Sequence, residues 1–525
     1  MEPDLFAVTS AEMRAAEAWT ETHGTSTAVL MDRAGRAVAD AVAELLAERP
    51  GPVLVIAGPG NNGGDGLIAA ARLADDGYEV TVVHLLRRAE PDAPLEAARA
   101  SRVRLTAWSD PEGPAVLRKA ATRAAVVVDA LLGTGVSRPF EGAVAEVARM
   151  IADRSPRAQL VAVDLPSGVN ADNGAADPLA LRADVTIAFA APKLGCFLPP
   201  ASRLTGALRV ADIGIPPRAF GGVMRETLSP ALAASLVPVR PPDGHKGTFG
   251  KVLAVAGSER YVGAPLLLIS AVLRSGAGLV VLATGRSTYE RLASRVLEGT
   301  YLPLPEEGGG LGPAAVEAIL GACEAEGVDA LAIGPGLGRS PVTDRAVAAL
   351  LRRLTLPSVI DADALNALAE QSDWAAILPD HSVLTPHPGE AARLLRSSVR
   401  EVEDDRLGAL RALTGKRAVV VLKGAHTLIG AADGRIRIQP VANPALGSGG
   451  SGDVLTGVIA GLLAQGLEPF DAASLGVALH ARAGERWSAE NGDGGLVASD
   501  LLAEIPRARA TLRVEGGLLP TSDVP

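Results

Sequence analysis

The sequence predicts an α/β protein with two domains, each built around a parallel sheet that carries helices on both faces. Three observations predict this fold class. The chain has 525 residues, which is too long for one ordinary domain. Short runs of valine, leucine and isoleucine alternate with alanine-rich helical stretches, as they do in parallel sheets. Between residues 216 and 250, proline and glycine break this alternation, and we place the domain boundary there.

The first half of the chain contains a helix start followed by a series of strands. Thr9 and Glu12 have the spacing of a capping box, so a helix should begin at this point. The predicted strands of this half are PVLVIAG, EVTVVHLL, AAVVVDAL, LVAVDLPSG and DVTIAFA. A second series follows the boundary, with the strands KVLAVAGS, GLVVLATG, ALAIGPG, PSVIDAD, SVLTPHPGE and AVVVLKG.

Composition and charge narrow the class of protein. Hydrophobic residues make up 48% of the chain and charged residues 21%, which is typical of globular proteins with large cores. The net charge of -10 argues against a general nucleic-acid surface. Cys196 and Cys323 offer neither a disulfide framework nor metal-ligand spacing, which fits a reducing cytosol. With no signal peptide and no apolar run near the ~20 residues of a membrane span, we expect a cytoplasmic protein.

The segment VANPALGSGGSGDVLTG, Val441 to Gly457, is the most informative motif. Its glycines let successive backbone N–H groups converge, and an apolar stretch at helical spacing follows them. A glycine loop before a helix N-terminus predicts a phosphate site. Asp453 would stand there as a carboxylate able to take a proton from a hydroxyl that attacks phosphorus. The alternative is a glycine-rich turn in which an aspartate caps the helix.

Five further loops in the second half end apolar runs with polar or glycine-rich residues. They are GSERYVGAP, GPGLGRS, DADALN, TPHPGE and KGAHT. In a parallel sheet these strand ends lie at one edge, where ligands bind. Each loop alone could be an ordinary turn, but together with the glycine loop they predict a ligand site.

These motifs, taken in order over residues 226–512, resemble the ADP/ATP-dependent NAD(P)H-hydrate dehydratases, which are ribokinase-like proteins with an αβα fold. The resemblance implies Mg²⁺ organised through water by Glu390, and His387 stands where many of these proteins have Asn. It places the hydrated nicotinamide near Ala264, Gly338, His387 and Asp453. It places the nucleotide at Lys423, Gly424, Ala425, His426, Thr427, Gly449, Gly450, Ser451 and Gly452.

The chemistry of such a substrate fits these residues. Hydroxide at C6 of the reduced ring is a poor leaving group, and phosphoryl transfer from ADP makes it a good one. Asp453 would activate the hydroxyl, and the N–H groups of Gly450 to Asp453 would hold the transferring phosphoryl. Lys423 would place the nucleotide, although a solvated lysine at a strand end is equally compatible with the sequence.

In the first half, Gly58, Gly60 and Gly63 form a GxGxxG pattern after a strand. A dinucleotide-binding site also needs an acid at the end of the next strand, where this chain has Arg87 and Arg88. A simple NAD dehydrogenase is therefore disfavoured. The oxygen-bearing side chains of the loop, Asn61, Asn62 and Asp65, instead suit a hard cation.

The motifs LMDRAG, GPGNNGGDG, DALLGTG and DLPSG resemble the NAD(P)H-hydrate epimerases over residues 10–220, which implies a Rossmann-like three-layer αβα domain. The resemblance implies K⁺ at Asn62, Asp129 and Ser167. The usual glycine after GTG-x is replaced in GTGVSRP. The implied substrate contacts are Asn61, Asn62, Gly63, Gly64, Asp65, Gly133, Thr134, Gly135, Val136, Ser137, Arg138, Pro139 and Asp164.

Asp164 is the candidate acid/base that moves the proton when the C6 centre opens and recloses. Asp129 and Asp164 each end an apolar run, so both could instead be turn acids or N-caps.

The two resemblances together predict a bifunctional enzyme that repairs hydrated NAD(P)H. One domain would interconvert the R and S hydrates at C6, and the other would convert the S form to NAD(P)H while ADP becomes AMP and phosphate. The expected partners are NADHX, NADPHX and ADP, with no nucleic acid, no membrane, and other copies of the chain in a homo-oligomer. The alternative is a ribokinase-like kinase of a small alcohol, fused to a non-catalytic ligand- or protein-binding domain.

Overall fold

The computed structural model describes residues 6–85, 92–135, 138–295, 297–415 and 417–515. The chain forms two compact units, Met1–Arg225 and Glu226–Pro525. Each unit has its own large sheet and its own hydrophobic core, which confirms the predicted α/β fold class. Within the described ranges, no helix combines the length and the apolar character that crossing a membrane requires.

The strands of the first unit are β1 (Val53–Ala57), β2 (Val80–His84), β3 (Arg104–Ala107), β4 (Val126–Ala130), β5 (Gln159–Val163), β6 (Val185–Phe189) and β7 (Ala207–Ala211). Its helices are α1 (Ser10–Thr22), α2 (Thr27–Glu48), α3 (Asn61–Asp75), α4 (Ala93–Ala100), α5 (Gly113–Arg123) and α6 (Gly142–Ala152). All seven strands are parallel, in the order β3-β2-β1-β4-β5-β6-β7. The strand order reverses between β1 and β4, so their following loops border a crevice suited to ligands.

Two local features of this unit follow directly from its sequence. The capping box at α1 is present, because Thr9 accepts the N–H of Glu12 while the Glu12 carboxylate accepts the N–H of Thr9. The motif NNGGDG was expected to be a loop, and that expectation is wrong. Helix α3 begins at Asn61, so the asparagines and Asp65 lie in its first turns, where several backbone N–H groups need partners from outside the helix.

Strand β8 (Arg225–Thr227) begins one residue before the second unit. The unit also contains β9 (Lys251–Val255), β10 (Leu279–Gly285), β11 (Thr300–Leu304), β12 (Glu306–Glu307), β13 (Gly310–Leu311), β14 (Ala330–Ile333), β15 (Ser358–Ile360), β16 (Ser382–Leu384), β17 (Val419–Leu422), β18 (Leu428–Gly430) and β19 (Ile436–Ile438). Its helices are α7 (Pro230–Ser235), α8 (Gly263–Arg274), α9 (Arg286–Leu292), α10 (Pro313–Glu326), α11 (Pro341–Arg353), α12 (Ala362–Ala369), α13 (Pro388–Leu395), α14 (Val399–Asp404), α15 (Arg406–Thr414), α16 (Ser451–Ala464), α17 (Pro469–Asn491) and α18 (Ala498–Glu515).

The large sheet of this unit has the strand order β11-β10-β9-β14-β15-β16-β17-β18-β19-β8. From β11 to β17 the strands are parallel. Beyond that point the sheet is no longer parallel, because β18, which the sequence patterns did not predict, runs antiparallel to both β17 and β19. The KGAHT segment is the short connection between β17 and β18, and only antiparallel neighbours can be joined by so few residues.

Helix α16 lies at the centre of the second core, and its glycines set how closely it packs on α8. A Cβ atom on Gly457 would lie 2.4 Å from the carbonyl oxygen of Leu268. A Cβ on Gly461 would lie 2.0 Å from the hydroxyl of Ser275. The two helices therefore approach to a distance that only glycine permits. Because α16 carries Asp453 in its first turn, this packing also fixes the position of that carboxylate.

Candidate functional site

The polar loops of the second unit meet at the carboxyl edge of its parallel strands. Asp361 follows β15, His387 follows β16 and Lys423 follows β17. The N-terminus of α16 lies beside them, since a Cβ on Gly452 would be 3.4 Å from Lys423 Nζ. The structure thus brings DADALN, TPHPGE, KGAHT and the glycine loop into one site.

Lys423 stands at the centre of a cluster of carboxylates. Its Nζ donates to Asp361 Oδ1 at 2.9 Å and lies 3.8 Å from Glu390 Oε2. The Lys423 side chain is 20% exposed, so the alternative of a solvated strand-end lysine is wrong. Burial alone would lower the pKa of Lys423, but the charges of Asp361 and Glu390 outweigh it and raise that pKa. Lys423 is therefore a fixed ammonium beside a helix N-terminus.

Asp453 lies in the first turn of α16, whose N-cap residue is Gly450 with a left-handed φ of 91°. The alternative that Asp453 merely caps the helix is wrong, because the cap position belongs to Gly450. Burial, followed by the negative charge of Asp361, raises the pKa of Asp453 to about 7. A carboxylate with that pKa can accept a proton near neutral pH and return it, as a general base must.

His387 and Glu390 cap helix α13 reciprocally. His387 Nδ1 accepts the N–H of Gly389 at 2.9 Å, and Glu390 Oε2 accepts the N–H of His387 at 2.8 Å. Since Nδ1 is an acceptor, the imidazole proton lies on Nε2, which is 3.4 Å from Glu390 Oε1. Burial lowers the pKa of His387 and raises that of Glu390 to about 7. His387 is thus a neutral group able to donate a hydrogen bond.

Two of the residues expected to hold the hydrated nicotinamide, Ala264 and Gly338, lie next to other loops of the site. Ala264 and the GPGLG loop are neighbours, because a Cβ on Gly336 would lie 3.0 Å from Cβ of Ala264. The N–H of Gly338 donates to Asp363 Oδ2 at 2.9 Å, which ties that loop to DADALN. The charge of Asp363 is among those that raise the pKa of Asp453. Asp363 therefore links the GPGLG loop to Asp453, because it accepts a hydrogen bond from Gly338 and its charge acts on the pKa of Asp453.

A cavity of about 460 Å³ adjoins the lysine and the glycine loop. Its lining includes Lys423, Gly424, Ala425, Thr427, Ser451 and Gly452, together with the apolar side chains of Val441, Leu446, Leu455 and Val477. Gly449, Gly450 and His426 do not line it. His426 instead places its Nδ1 atom 3.1 Å from the carbonyl of Gln439. Apolar walls with a lysine and a helix N-terminus at one end suit a ligand that carries both an apolar ring and an anionic group.

Sequence reasoning missed several residues that build this site. Asp361 was noted only as part of a motif, yet it is the partner of Lys423 and also accepts the hydroxyl of Thr456 at 2.7 Å. Arg406 is buried and donates to the carbonyls of Leu422 and Lys423 at 3.1 Å each, which fixes the start of KGAHT. Their signal in the sequence was weak, because Thr456 and Arg406 lie inside ordinary helical patterns.

In the first unit, the three residues expected to bind K⁺ are linked through Ser167 and the carbonyl of Leu132. Asn62 Nδ2 donates to that carbonyl at 3.1 Å, and Ser167 Oγ lies 3.2 Å from the same oxygen. Ser167 Oγ is also 2.6 Å from Asp129 Oδ1. Asp129 is completely buried, and burial raises its pKa. It accepts the N–H of Leu131 as well, so the turn role left open by the sequence is real and coexists with the cluster.

The first unit also has a cavity, of about 60 Å³, which is lined by Asn61, Asp65 and Asp164. It also contains Glu17 and Lys193, which sequence reasoning did not select. Lys193 is completely buried and forms an ion pair with Asp164. The segment FAAPKLG had been noted only as a strand end, and nothing in its composition distinguishes this lysine from a solvated one.

The other residues expected to contact the substrate of the first unit do not all gather around Asp164. Gly63 and Gly64 are buried within α3, and Gly133 packs against Asn62. Thr134 and Gly135 follow it on the loop after β4. Arg138 and Pro139 line a separate cavity with Asn170 and Asp177. The structure therefore does not place them in the cavity of Asp164. Val136 and Ser137 lie outside the described residues.

Comparison with known proteins identifies both halves. The profile of a family described as NAD(P)H-hydrate dehydratase matches residues 252–507, and one described as YjeF-related protein N-terminus matches residues 27–195. A bifunctional NAD(P)H-hydrate repair enzyme from Moorella thermoacetica is 40% identical, covering 97% of this chain and 98% of its own. The enzyme of that name from Escherichia coli K12 is 35% identical, covering 86% and 84%.

Among solved structures, an ADP/ATP-dependent NAD(P)H-hydrate dehydratase from Bacillus subtilis, co-crystallised with ATP and Mg²⁺, is 31% identical to this chain. It covers 55% of this chain and 98% of its own, with a TM-score of 0.48.

Proposed function

Because the chain belongs to the family of bifunctional NAD(P)H-hydrate repair enzymes, we propose that it restores hydrated NADH and NADPH through two separate reactions. Residues 10–220 would interconvert the R and S hydrates, and residues 226–512 would dehydrate the S form with ADP. The alternative of a small-alcohol kinase with a non-catalytic partner domain is set aside, since relatives of this family match the chain over nearly its whole length.

The dehydration follows from the position of Asp453. Asp453 takes the proton of the C6 hydroxyl, and the hydroxyl oxygen attacks the β-phosphorus of ADP as the bond to AMP breaks. The N–H groups at the start of α16 and the ammonium of Lys423 stabilise the charge on the phosphoryl group. The ring nitrogen then expels phosphate, and loss of the C5 proton restores the C5=C6 double bond. The products are NAD(P)H, AMP and phosphate.

Mg²⁺ would be organised through water by Glu390 and would neutralise phosphate charge when bound. Among the described residues no group of three or more His, Cys, Asp or Glu could hold a metal ion. This fits a cation held mostly by water and nucleotide phosphates, as Mg²⁺ commonly is. Glu390 itself is 5% exposed and lies near Lys423, so it faces the place where the phosphates would lie.

The epimerisation is proposed to use Asp164. The carboxylate takes the proton of the C6 hydroxyl, the C6–N1 bond breaks, and N1 receives a proton from water. Reclosure on the opposite face of the resulting carbonyl inverts C6.

Asn62, Asp129 and Ser167 would hold K⁺. The completely buried carboxylate of Asp129 fits this role, because the cation would neutralise its charge. The predictions of a cytoplasmic homo-oligomer stand with this proposal, and light scattering would test the oligomer.

The observation that supports this function most is that Lys423 lines a nucleotide-sized cavity while its charge also acts on Asp453, in the first turn of the adjoining helix α16. The experiment supplies the protein with a mixture of NADH hydrate epimers and ADP. NADH absorbance follows dehydration, and chromatography of the two epimers follows epimerisation. Recovery of NADH that requires ADP supports the proposal, and an unchanged epimer mixture with no NADH contradicts it.

A further inference from the structure

The cavity of Asp164 contains a lysine that the proposed mechanism does not use. Lys193 is completely buried, and its Nζ donates to Asp164 and to the carbonyls of Phe189 and Ala191 at 3.3 and 3.2 Å. An ammonium carries three N–H bonds, so all of its donors are committed. Lys193 therefore has no proton left to offer a substrate unless it first breaks one of these bonds.

The bonds to Asp164 fall on one side of its carboxylate. Oδ1 accepts Lys193 Nζ and also the N–H of Phe189 at 3.1 Å. No hydrogen bond from the described residues reaches Oδ2. The backbone of Asp164 is left-handed, with a φ of 67°, a conformation that aspartate tolerates better than most residues. The turn and the lysine together orient the carboxylate so that Oδ2 is the oxygen available to a ligand.

Other ionisable groups surround this pair. Glu17 of α1 and Asp65 of α3 line the same cavity. The charges of Lys193 and Asp164 both act on the pKa of the nearby Cys196 thiol. Burial raises the pKa of Glu17, while the ammonium of Lys193 opposes that effect. Lys193 is thus the cation that pairs with Asp164 among three acidic side chains, and Arg14 is a further cation that acts on Glu17. Removing Lys193 would leave Asp164 without its ion-pair partner.

We infer that Lys193 is a positioning residue of the epimerase: it fixes the Asp164 carboxylate and directs Oδ2 to the C6 hydroxyl of the hydrate. The inference rests on the proposed function. In the ring opening the hydroxyl proton moves to Oδ2 and N1 takes its proton from water, while Lys193 keeps all of its own protons. Its influence acts through Asp164, because a charge-assisted hydrogen bond fixes the orientation of a carboxylate.

A double-mutant cycle tests this. Lys193→Gln, Asp164→Asn and the double variant are compared in the full chain by chromatography of the epimers. Lys193→Gln keeps a donor for the two carbonyls but removes the charge, and its rate should fall by about 10-fold or more. The double variant should be no slower than Asp164→Asn. If the double variant is slower than Asp164→Asn by the same factor that Lys193→Gln alone loses, the inference is overturned, because Lys193 would then act independently of Asp164.

The division of the loss between kcat and KM supplies a readout that a purely structural role would not change. In Lys193→Gln, kcat for epimerisation should fall while KM for the hydrate stays within about twofold, because the donors of Lys193 are committed to Asp164 and the two carbonyls. A rise in KM with kcat unchanged overturns the inference. Arg209→Met removes an exposed ion pair with Glu44 in the same unit and should leave kcat and KM unchanged.

A second variant keeps the inference testable if Lys193→Gln does not fold. Lys193→Met keeps the apolar stem of the side chain and removes the ammonium, so its epimerisation kcat should fall by a similar factor. A Lys193→Met protein that epimerises at the wild-type rate overturns the inference. If the wild type leaves the epimers unchanged, the proposed function itself is wrong; if the wild type interconverts them and Lys193→Met does so equally fast, only the role of Lys193 is wrong.

Discussion

Lys423 Nζ and Asp361 Oδ1 form an ion pair of 2.9 Å that fixes the lysine beside the N-terminus of α16. The other oxygen of Asp361 accepts the hydroxyl of Thr456, a residue of the same helix. Asp361 therefore joins the end of β15 to α16 and aims the ammonium at the place where helix N–H groups converge. A phosphate drawn to this helix end would meet a charge that is already in position.

Replacing Asp361 with asparagine should weaken this arrangement without changing the side-chain shape. The ammonium loses its charged partner, so its placement on the nucleotide loosens. We expect kcat/KM for ADP to fall about 10- to 100-fold, because a hydrogen bond to a charged group contributes roughly 1.5–3 kcal/mol. Steady-state dehydration kinetics measure this. Asp433→Asn, at an exposed pair with Arg435, is the matched control, and equal constants for both variants would refute the role of Asp361.

Asp453→Asn should abolish dehydration and leave nucleotide binding nearly intact. Loss of a general base typically lowers a rate by ~10²–10⁴-fold, whereas the cavity walls and Lys423 are unchanged. Single-turnover rates and calorimetric binding of ADP separate the two effects. If the variant turns over at a near-normal rate, Asp453 is not the base, and the glycine loop serves only to bind the nucleotide.

The raised pKa of Asp453 also predicts how stability depends on pH. Its ordinary value is 3.8 and its value in the fold is about 7. Between these values the folded chain holds a proton that the unfolded chain has released, so this group makes stability fall as pH rises. Each pKa unit corresponds to ~1.4 kcal/mol, which limits the effect to about 4 kcal/mol above pH 7.

Asp453→Asn should therefore raise the Tm of the second unit more at pH 8 than at pH 5, as scanning calorimetry without nucleotide would measure. The variant lacks the charge that becomes costly at high pH. A gain in Tm that is the same at both pH values would mean that Asp453 is ionised in the fold at ordinary pH, and the assignment of its protonation would be wrong.

Dehydration should depend on ADP. The cavity combines apolar walls for a base with a glycine loop and a lysine for phosphates, and it does so in a chain whose net charge is -10. The expected order of rates is ADP above ATP, with no reaction without nucleotide. Initial rates under identical conditions compare the three. Equal rates in the absence of nucleotide would exclude phosphoryl transfer from the mechanism.

Sequence patterns predicted the two α/β units and the loops that form the second site, because apolar runs and glycine loops are local signals. The edge strands β3 and β7 were not predicted, since they are short and Thr106 is their only buried residue, so they lack the apolar runs of the central strands. The antiparallel strand β18 was missed because its direction depends on the length of the turn before it. Asp361 and Lys193 were missed as site residues, because an ion pair between distant segments exists only in the folded chain.

The central claim is that one chain carries two independent repair activities, and Asp164→Ala tests it most directly. Each unit is compact by itself, so a change in the first should spare the second. The variant and the wild type receive mixed hydrate epimers with ADP, and NADH recovery is followed to completion. Wild-type protein should recover all of the hydrate, whereas Asp164→Ala should stop once the S form is consumed and leave the R form behind. Full recovery by the variant, or a loss of dehydration along with epimerisation, would contradict the account.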